Sequence, residues 1–183
     1  MTGQPPGAPI VGILMGSDSD YPTMEEAART LREFGVAYEI TVASAHRSPD
    51  RVEAYARGAE QRGVRVIIAG AGAAAHLAGV LAGRTILPII GVPLAGSTLG
   101  GLDALLATVQ MPGGVPVATV GIGAAKNAAL LAVQMLGTGD PALRDRYRAY
   151  KERLAREVED KAARLSAKGE PGMVPPHSAG RVP

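Results

Sequence analysis

Apolar residues in this chain gather into five short runs, separated by longer segments in which they recur every three or four positions. The runs are 10–15 (IVGILM), 38–43 (YEITVA), 64–69 (VRVIIA), 86–92 (ILPIIGV) and 115–122 (VPVATVGI). Each has the length of a buried strand. Between them, Met24, Ala27, Ala28 and Leu31 follow the spacing of an amphipathic helix, as do Leu102, Leu105, Leu106 and Val109. Asp50 reads as the N-cap of a further helix that runs to about Arg62 and stops at Gly63. Strands alternating with helices predict an α/β fold with a parallel sheet covered on both faces. Crossovers of that kind are right-handed, so the expected architecture is an open, doubly wound three-layer sandwich on five strands.

Two later segments do not fit a lone monomer and point to assembly with further copies. Residues 126–137 (KNAALLAVQMLG) are apolar on nearly every side, which predicts a helix buried on more than one face. Asp140-Pro141 then supplies an N-cap and a proline at the first helical position. The helix it opens runs to about Leu165, with one stripe made by Leu143, Tyr147, Tyr150, Leu154, Val158, Ala162 and Leu165. Such a stripe outreaches a small sheet. It either folds back on its own domain or packs on a neighbouring subunit. The expected divisions are a flexible lead-in at 1–9, an α/β domain at 10–138, an oligomer-packing C-terminal helix at 139–167 and a flexible Pro/Gly-rich tail at 168–183.

Composition narrows the function. With 183 residues and 46% hydrophobic content, the chain can bury one ordinary core. It has no cysteine, which excludes disulfides, thiol nucleophiles and Cys-based metal sites. A net charge of +2 without a Lys/Arg block argues against a nucleic-acid partner. No stretch of about 18 apolar residues predicts a membrane span, and the first residues lack the pattern of a signal peptide. A soluble, cytoplasmic protein acting on a small molecule is expected.

In open parallel sheets, ligands bind beyond the carboxyl ends of the strands. The segments following the five runs are therefore the place to look. Gly16-Ser17-Asp18-Ser19-Asp20 joins a strand to a helix, where free N–H groups and hydroxyls can hold a phosphate. An ordinary capping loop fits equally well, and the two Asp would suit Mg²⁺ only with a third ligand that is not evident. Gly70 to Ala75 is a run of the smallest residues, suited either to close approach of a ligand or to tight packing of a helix. His76 follows it, in a position where capping or core roles are common. Ser44-Ala45-His46-Arg47-Ser48-Pro49 sets an imidazole beside a permanent cation. Arg47 can fork onto a phosphate, and a phosphate there would offset the guanidinium and leave His46 free to exchange protons as a general acid–base. Pro93 to Ser97 and Gly123 to Asn127 complete the edge; His177 falls in the tail.

Six blocks, in order, resemble one known family. They are MGSDSD (15–20), SAHRSPD (44–50), IIAGAGAAAHLAG (67–79), LPIIGVP (87–93), GLDALLATVQMPGGVPVATV (101–120) and NAALLA (127–132). Together they resemble the class I AIR carboxylase family, the N5-carboxyaminoimidazole ribonucleotide mutases of purine biosynthesis. The resemblance implies a flavodoxin-like fold and a homo-octamer with active sites at subunit contacts. It implies reversible transfer of a carboxylate from the exocyclic nitrogen to carbon 4 of an aminoimidazole ribonucleotide, with no metal or other cofactor. It assigns Ser17, Asp20 and Arg47 to the ribose phosphate, with Ser19 as a further contact, and His46 to general acid–base work. Backbone at Gly72 and Ala73 would face the migrating carboxylate, and Ser44, His76 and Leu77 complete the expected binding set. Tyr21 stands where Trp is common, Ala73 where Gly is frequent and Ala78 where Pro is frequent, and the loop 123–127 is short. None of these removes a chemical group the reaction requires.

The nearest rival is the class II enzyme, which carboxylates aminoimidazole ribonucleotide directly with CO₂. Arg47-Ser48-Pro49 resembles the class I version of that block. A receiver-type module would need an acceptor Asp at the end of the third run, where Ala69-Gly70-Ala71 stands. A flavin binder would need aromatic residues in these loops, which are nearly devoid of them.

Overall fold

The computed structural model describes residues 7–168. The first six residues of the expected lead-in, the tail from residue 169 and His177 lie outside the described residues. Five strands, β1 (Val11–Met15), β2 (Tyr38–Val42), β3 (Val66–Gly72), β4 (Ile89–Leu94) and β5 (Ala118–Thr119), form one parallel sheet in the order β2-β1-β3-β4-β5. Six helices accompany them: α1 (Tyr21–Glu33), α2 (Pro49–Ala59), α3 (Leu77–Ala82), α4 (Leu102–Val109), α5 (Ala125–Gly137) and α6 (Pro141–Ser166). The sandwich expected from the alternation is present.

Strand alternation divides the core into two layers. Val11, Ile13 and Met15 of β1, Val66 and Ile68 of β3, and Ile90 and Val92 of β4 pack with α1, α5 and the start of α6. Leu14, Ile67, Ala69 and Ile89 point to the other face, with α2 and α3. Three strand glycines act as slots for helix side chains. A Cβ on Gly12 would sit 2.0 Å from the Tyr55 hydroxyl, one on Gly70 2.4 Å from Met24 Sδ, and one on Gly91 2.4 Å from Thr108 Cγ2. Any side chain there would push α2, α1 or α4 off the sheet.

Several boundaries move from their sequence positions. β3 continues through Gly70, Ala71 and Gly72, which pair with Val92, Pro93 and Leu94, so only 73–76 form the loop. Small residues do not end a strand whose partner is in register. β4 starts after Pro88, because proline donates no hydrogen bond and restricts the residue before it; Ile86 is 86% exposed. β5 shrinks to two residues beyond Pro116, although Val120 N–H still donates to the Gly91 carbonyl at 3.0 Å. α2 opens at Pro49 with Ser48 as its N-cap, which moves Asp50 into the first turn. The Ser48 hydroxyl is engaged by Ser44, accepting from its N–H at 3.0 Å and donating to its carbonyl at 3.2 Å. Gly63 closes the segment with φ 94°, as expected.

The apolar helices also redistribute. α5 is covered within the chain, by the sheet on one side and by α1 and α6 on others, which accounts for its apolar circumference without a partner. On α4 it is Ala104 and Thr108 that face the sheet, while Leu102, Leu106 and Val109 are exposed. Gly91 has no side chain to meet a large residue, so the small face of α4 turns inward and the leucines turn out. α6 has 26 residues, about 39 Å at 1.5 Å per residue. Its stripe is buried at Leu143 and Tyr150, against Phe34 and Tyr147, and exposed at Leu154, Val158 and Leu165.

Candidate active site

The strand order reverses at β1. From β1 the chain moves outward to β2 and then crosses to β3 on the other side. The loops after β1, β2 and β3 therefore meet at one point of the carboxyl edge, the place where doubly wound sheets bind ligands.

The loop after β1 is a short 3₁₀ turn, Asp18–Asp20, closed by a reciprocal cap. Ser17 N–H donates to Asp20 Oδ2 at 3.0 Å, and Ser19 N–H donates to Ser17 Oγ at 3.4 Å. The Ser19 hydroxyl donates to Ser17 Oγ at 2.9 Å, and the Ser17 hydroxyl to Asp18 Oδ1 at 3.1 Å. Two hydroxyls and two carboxylates are thus held in fixed array. Burial pushes the Asp20 carboxyl above the ordinary range; N–H bonds from Ser17 and Gly16 and the Arg47 charge pull it back only in part, and Asp18 adds repulsion.

Arg47 ties this loop to the next. Its guanidinium donates to the Gly16 carbonyl at 3.0 Å and to Ser44 Oγ at 3.4 Å, and its own N–H also donates to Ser44 Oγ, at 3.2 Å. Both carbonyl and hydroxyl are neutral acceptors, so the positive charge is positioned but not neutralised by an ion pair. Beside it, His46 Nε2 lies 2.8 Å from His76 Nδ1, with the rings nearly perpendicular at 83°.

Beyond β3 the chain turns sharply. Ala75 N–H donates to the Ala73 carbonyl at 2.8 Å and His76 N–H to the Ala74 carbonyl at 2.9 Å. Ala73 has φ 50°, and among the described residues it alone occupies positive φ without being glycine. Left-handed backbone costs an L-residue about 1–2 kcal/mol. The loop holds this strained residue at the rim of a cavity of about 290 Å³, at the lower end of small-ligand pockets, which begin at about 300 Å³.

That cavity collects nearly every residue singled out in the sequence. Ser17, Ser19, Asp20, Ser44, His46, Arg47, Gly72, Ala73 and Leu77 line it. His76 does not; it contacts His46. Gly16, Ala45, Ala71, Ala74 and Gly96 line it as well. Gly96 belongs to the segment after the fourth run, but a lone glycine there carried no chemical signal. Lys126 and Asn127, after β5, are not in the lining; Lys126 lies 5.9 Å from the centre of the Tyr150 ring. Among the described residues, no three His, Cys, Asp or Glu side chains converge to hold a metal ion.

The profile of the AIR carboxylase family matches residues 10–157, which includes every strand and every residue of the cavity. The chain belongs to that family. It is 59% identical over 161 residues to the N5-carboxyaminoimidazole ribonucleotide mutase of Pyrococcus horikoshii, covering 88% of this chain and 91% of that protein. It is 60% identical over 161 residues to the mutase of the same name from Thermotoga maritima, covering 88% and 94%. The crystal structure of Treponema denticola PurE superposes with a TM-score of 0.79 at 31% identity, covering 86% of this chain and 98% of that one. Among the described residues, this cavity is where charge, hydroxyls and imidazole converge on small backbone.

The raised Asp20 carboxyl predicts a pH signature. Folding favours its protonated form, so its contribution to stability falls as pH rises through the interval between its unfolded and folded values. Asp20→Asn keeps an acceptor for Ser17 N–H and removes the burial cost. At pH 7 it should raise the thermal midpoint. The gain should vanish below about pH 3, where the carboxyl is protonated in both the folded and the unfolded chain. Calorimetric scans at the two pH values check this; a midpoint lowered at pH 7 would contradict it.

Proposed function

We propose that this chain interconverts N5-carboxyaminoimidazole ribonucleotide and 4-carboxyaminoimidazole ribonucleotide in purine (IMP) biosynthesis. The observation that carries the proposal is the convergence of Arg47, the Ser17/Ser19 hydroxyls and His46 on one cavity floored by Ala71, Gly72 and Ala73. The names of the two mutase relatives agree with it.

The chemistry follows from the groups present. Arg47 and the two serines anchor the ribose phosphate, a charge-assisted contact far from the reacting atoms. Asp20, held by Ser17 N–H, takes the substrate's polar edge. The carbamate N–C bond breaks, CO₂ is released inside the cavity, and His46 gives a proton to the exocyclic nitrogen. Carbon 4 then attacks CO₂, a C–C bond forms, and His46 takes back the proton that carbon 4 loses. Proton and carboxylate both balance, so one histidine serves as acid and then as base.

Free CO₂ must not escape between the two steps. On one side the half-buried Ala71 and Gly72 and the buried Leu77 shield the cavity from water. On the other side, His46, Arg47, Ala73, Ala74 and Gly96 are exposed in the single chain. Exposed Leu99, Leu102, Leu106, Val109 and Ile122 lie along α4 and its neighbouring loops, and the second half of α6 adds Leu154, Val158 and Leu165. An apolar surface of this extent supports assembly with further copies of the chain. We infer a homo-octamer whose subunit contacts close the active sites, with 10–138 as the catalytic unit and the helix of 139–167 serving assembly. Among the described residues no helix is long and apolar enough to cross a membrane; we place the enzyme in the cytoplasm, where its nucleotide substrate is made.

Two measurements test this. Purified protein given the N-carboxylated ribonucleotide should form the 4-carboxy isomer without added bicarbonate. Turnover that instead requires the uncarboxylated ribonucleotide with bicarbonate or CO₂ would overturn the mutase assignment in favour of direct carboxylation. In sedimentation equilibrium at micromolar concentration the chain should have eight times its monomer mass, and Leu106→Asp should shift it to smaller species. A wild-type monomer would contradict the assembly.

A further inference from the structure

His76 does not line the cavity, yet its Nδ1 lies 2.8 Å from His46 Nε2. We propose that His76 is a positioning residue that accepts a hydrogen bond from His46 Nε2–H and so fixes which nitrogen of His46 faces the substrate. The inference rests on the acid–base role proposed above for His46.

A short Nε2···Nδ1 contact between two imidazoles holds one proton, and one ring must be the donor. With Nε2 engaged, Nδ1 is the His46 nitrogen left for a ligand. As a base, His46 needs a bare Nδ1, so its proton sits on Nε2 and points at His76. As an acid, His46 carries protons on both nitrogens, and Nε2–H still points at His76. The same bond therefore serves both states, provided His46 is the donor. Were His76 the donor, His46 Nε2 would be bare and Nδ1 already protonated, and every proton taken up would break the contact. As the acceptor through Nδ1, the His76 ring carries its own proton on Nε2, and the residue is exposed.

The surrounding charges leave this task to His76. Asp20 accepts from Ser17 N–H, and Asp18 accepts from the Ser17 hydroxyl and Ser19 N–H, all within their own loop. Arg47 donates to Gly16 and Ser44. Among the described residues, no carboxylate hydrogen-bonds to His46, the usual device for orienting a catalytic imidazole. A neutral histidine does so without a fixed negative charge beside a leaving carboxylate.

Spectroscopy and kinetics test the proposal together. Magic-angle-spinning NMR of ¹⁵N-histidine-labelled protein, assigned with single His variants, reads the protonated nitrogen directly. Neutral His46 should appear as one tautomer, protonated on Nε2, and His76→Leu should convert it to a mixture. A His46 ring bare on Nε2 in the wild type would overturn the proposal. Kinetically, His76→Leu should lower kcat by about 10- to 100-fold, the range for lost orienting partners of functional histidines, with KM changed little. His76→Asn places Oδ1 where Nδ1 was, accepts the same bond and should restore kcat to within a few-fold. An Asn variant as slow as Leu, or a Leu variant at wild-type rate, would overturn it. If His76→Leu does not fold, the Asn variant and the wild-type spectrum still decide. Failure of the underlying reading is distinguishable, because His46→Asn would then turn over normally whatever His76 does.

Discussion

The parallel pairing of β1 with β3 is the constraint on which everything else depends. Val11 to Met15 are buried and matched one for one with Val66 to Gly70, which sets two loop origins side by side at the carboxyl edge. β2, paired to the other side of β1, brings the third. Glycines make the match possible. Gly12 and Gly70 admit Tyr55 and Met24, so α2 and α1 lie close on opposite faces of the same two strands. The bond from Gly16 N–H to the Gly70 carbonyl at 3.2 Å extends the pairing to the start of the site. The cavity is thus a consequence of strand order, and its residues are close because their strands are neighbours.

Electrostatics then gives that edge a direction. Arg47 spans the first two loops and holds its charge against neutral acceptors. The phosphate proposed for this site would meet a preorganised cation and two hydroxyls without displacing an existing ion pair. The carboxylates of Asp18 and Asp20 accept from backbone N–H groups of their own loop. The strained turn at Ala73 fixes the backbone of the third loop at the rim of the same cavity.

Much of this was legible in the chain, for physical reasons that also explain what was not. Short apolar runs mark buried parallel strands because such strands are covered on both faces, and the residues after them mark the site because a parallel sheet has one ligand edge. Ser17, Asp20, His46 and Arg47 were visible by residue type at those positions. Where β3 ends was not visible, because Gly70 to Gly72 pair as well as larger residues do when Val92 to Leu94 lie alongside. The direction of α4 was also hidden. Its leucines have the spacing of a core face, and only the bare Gly91 on the partner strand decides that Ala104 and Thr108 turn inward. α5 shows the converse: its apolar circumference reflects cover from three sides of one chain. The contact between His46 and His76, thirty positions apart, depends on tertiary geometry that no local pattern records.

The central claim is that phosphate anchoring and proton transfer reside in adjacent residues, Arg47 and His46, and are separable. Steady-state kinetics of His46→Asn on the N-carboxylated ribonucleotide tests it most directly. Asn preserves size and some hydrogen bonding but cannot titrate. The account predicts kcat reduced by about 10² to 10⁴, the usual range for a lost general acid–base, with KM within a few-fold of wild type because the phosphate anchors remain. Near-native kcat, or a loss expressed mainly in KM, would contradict it.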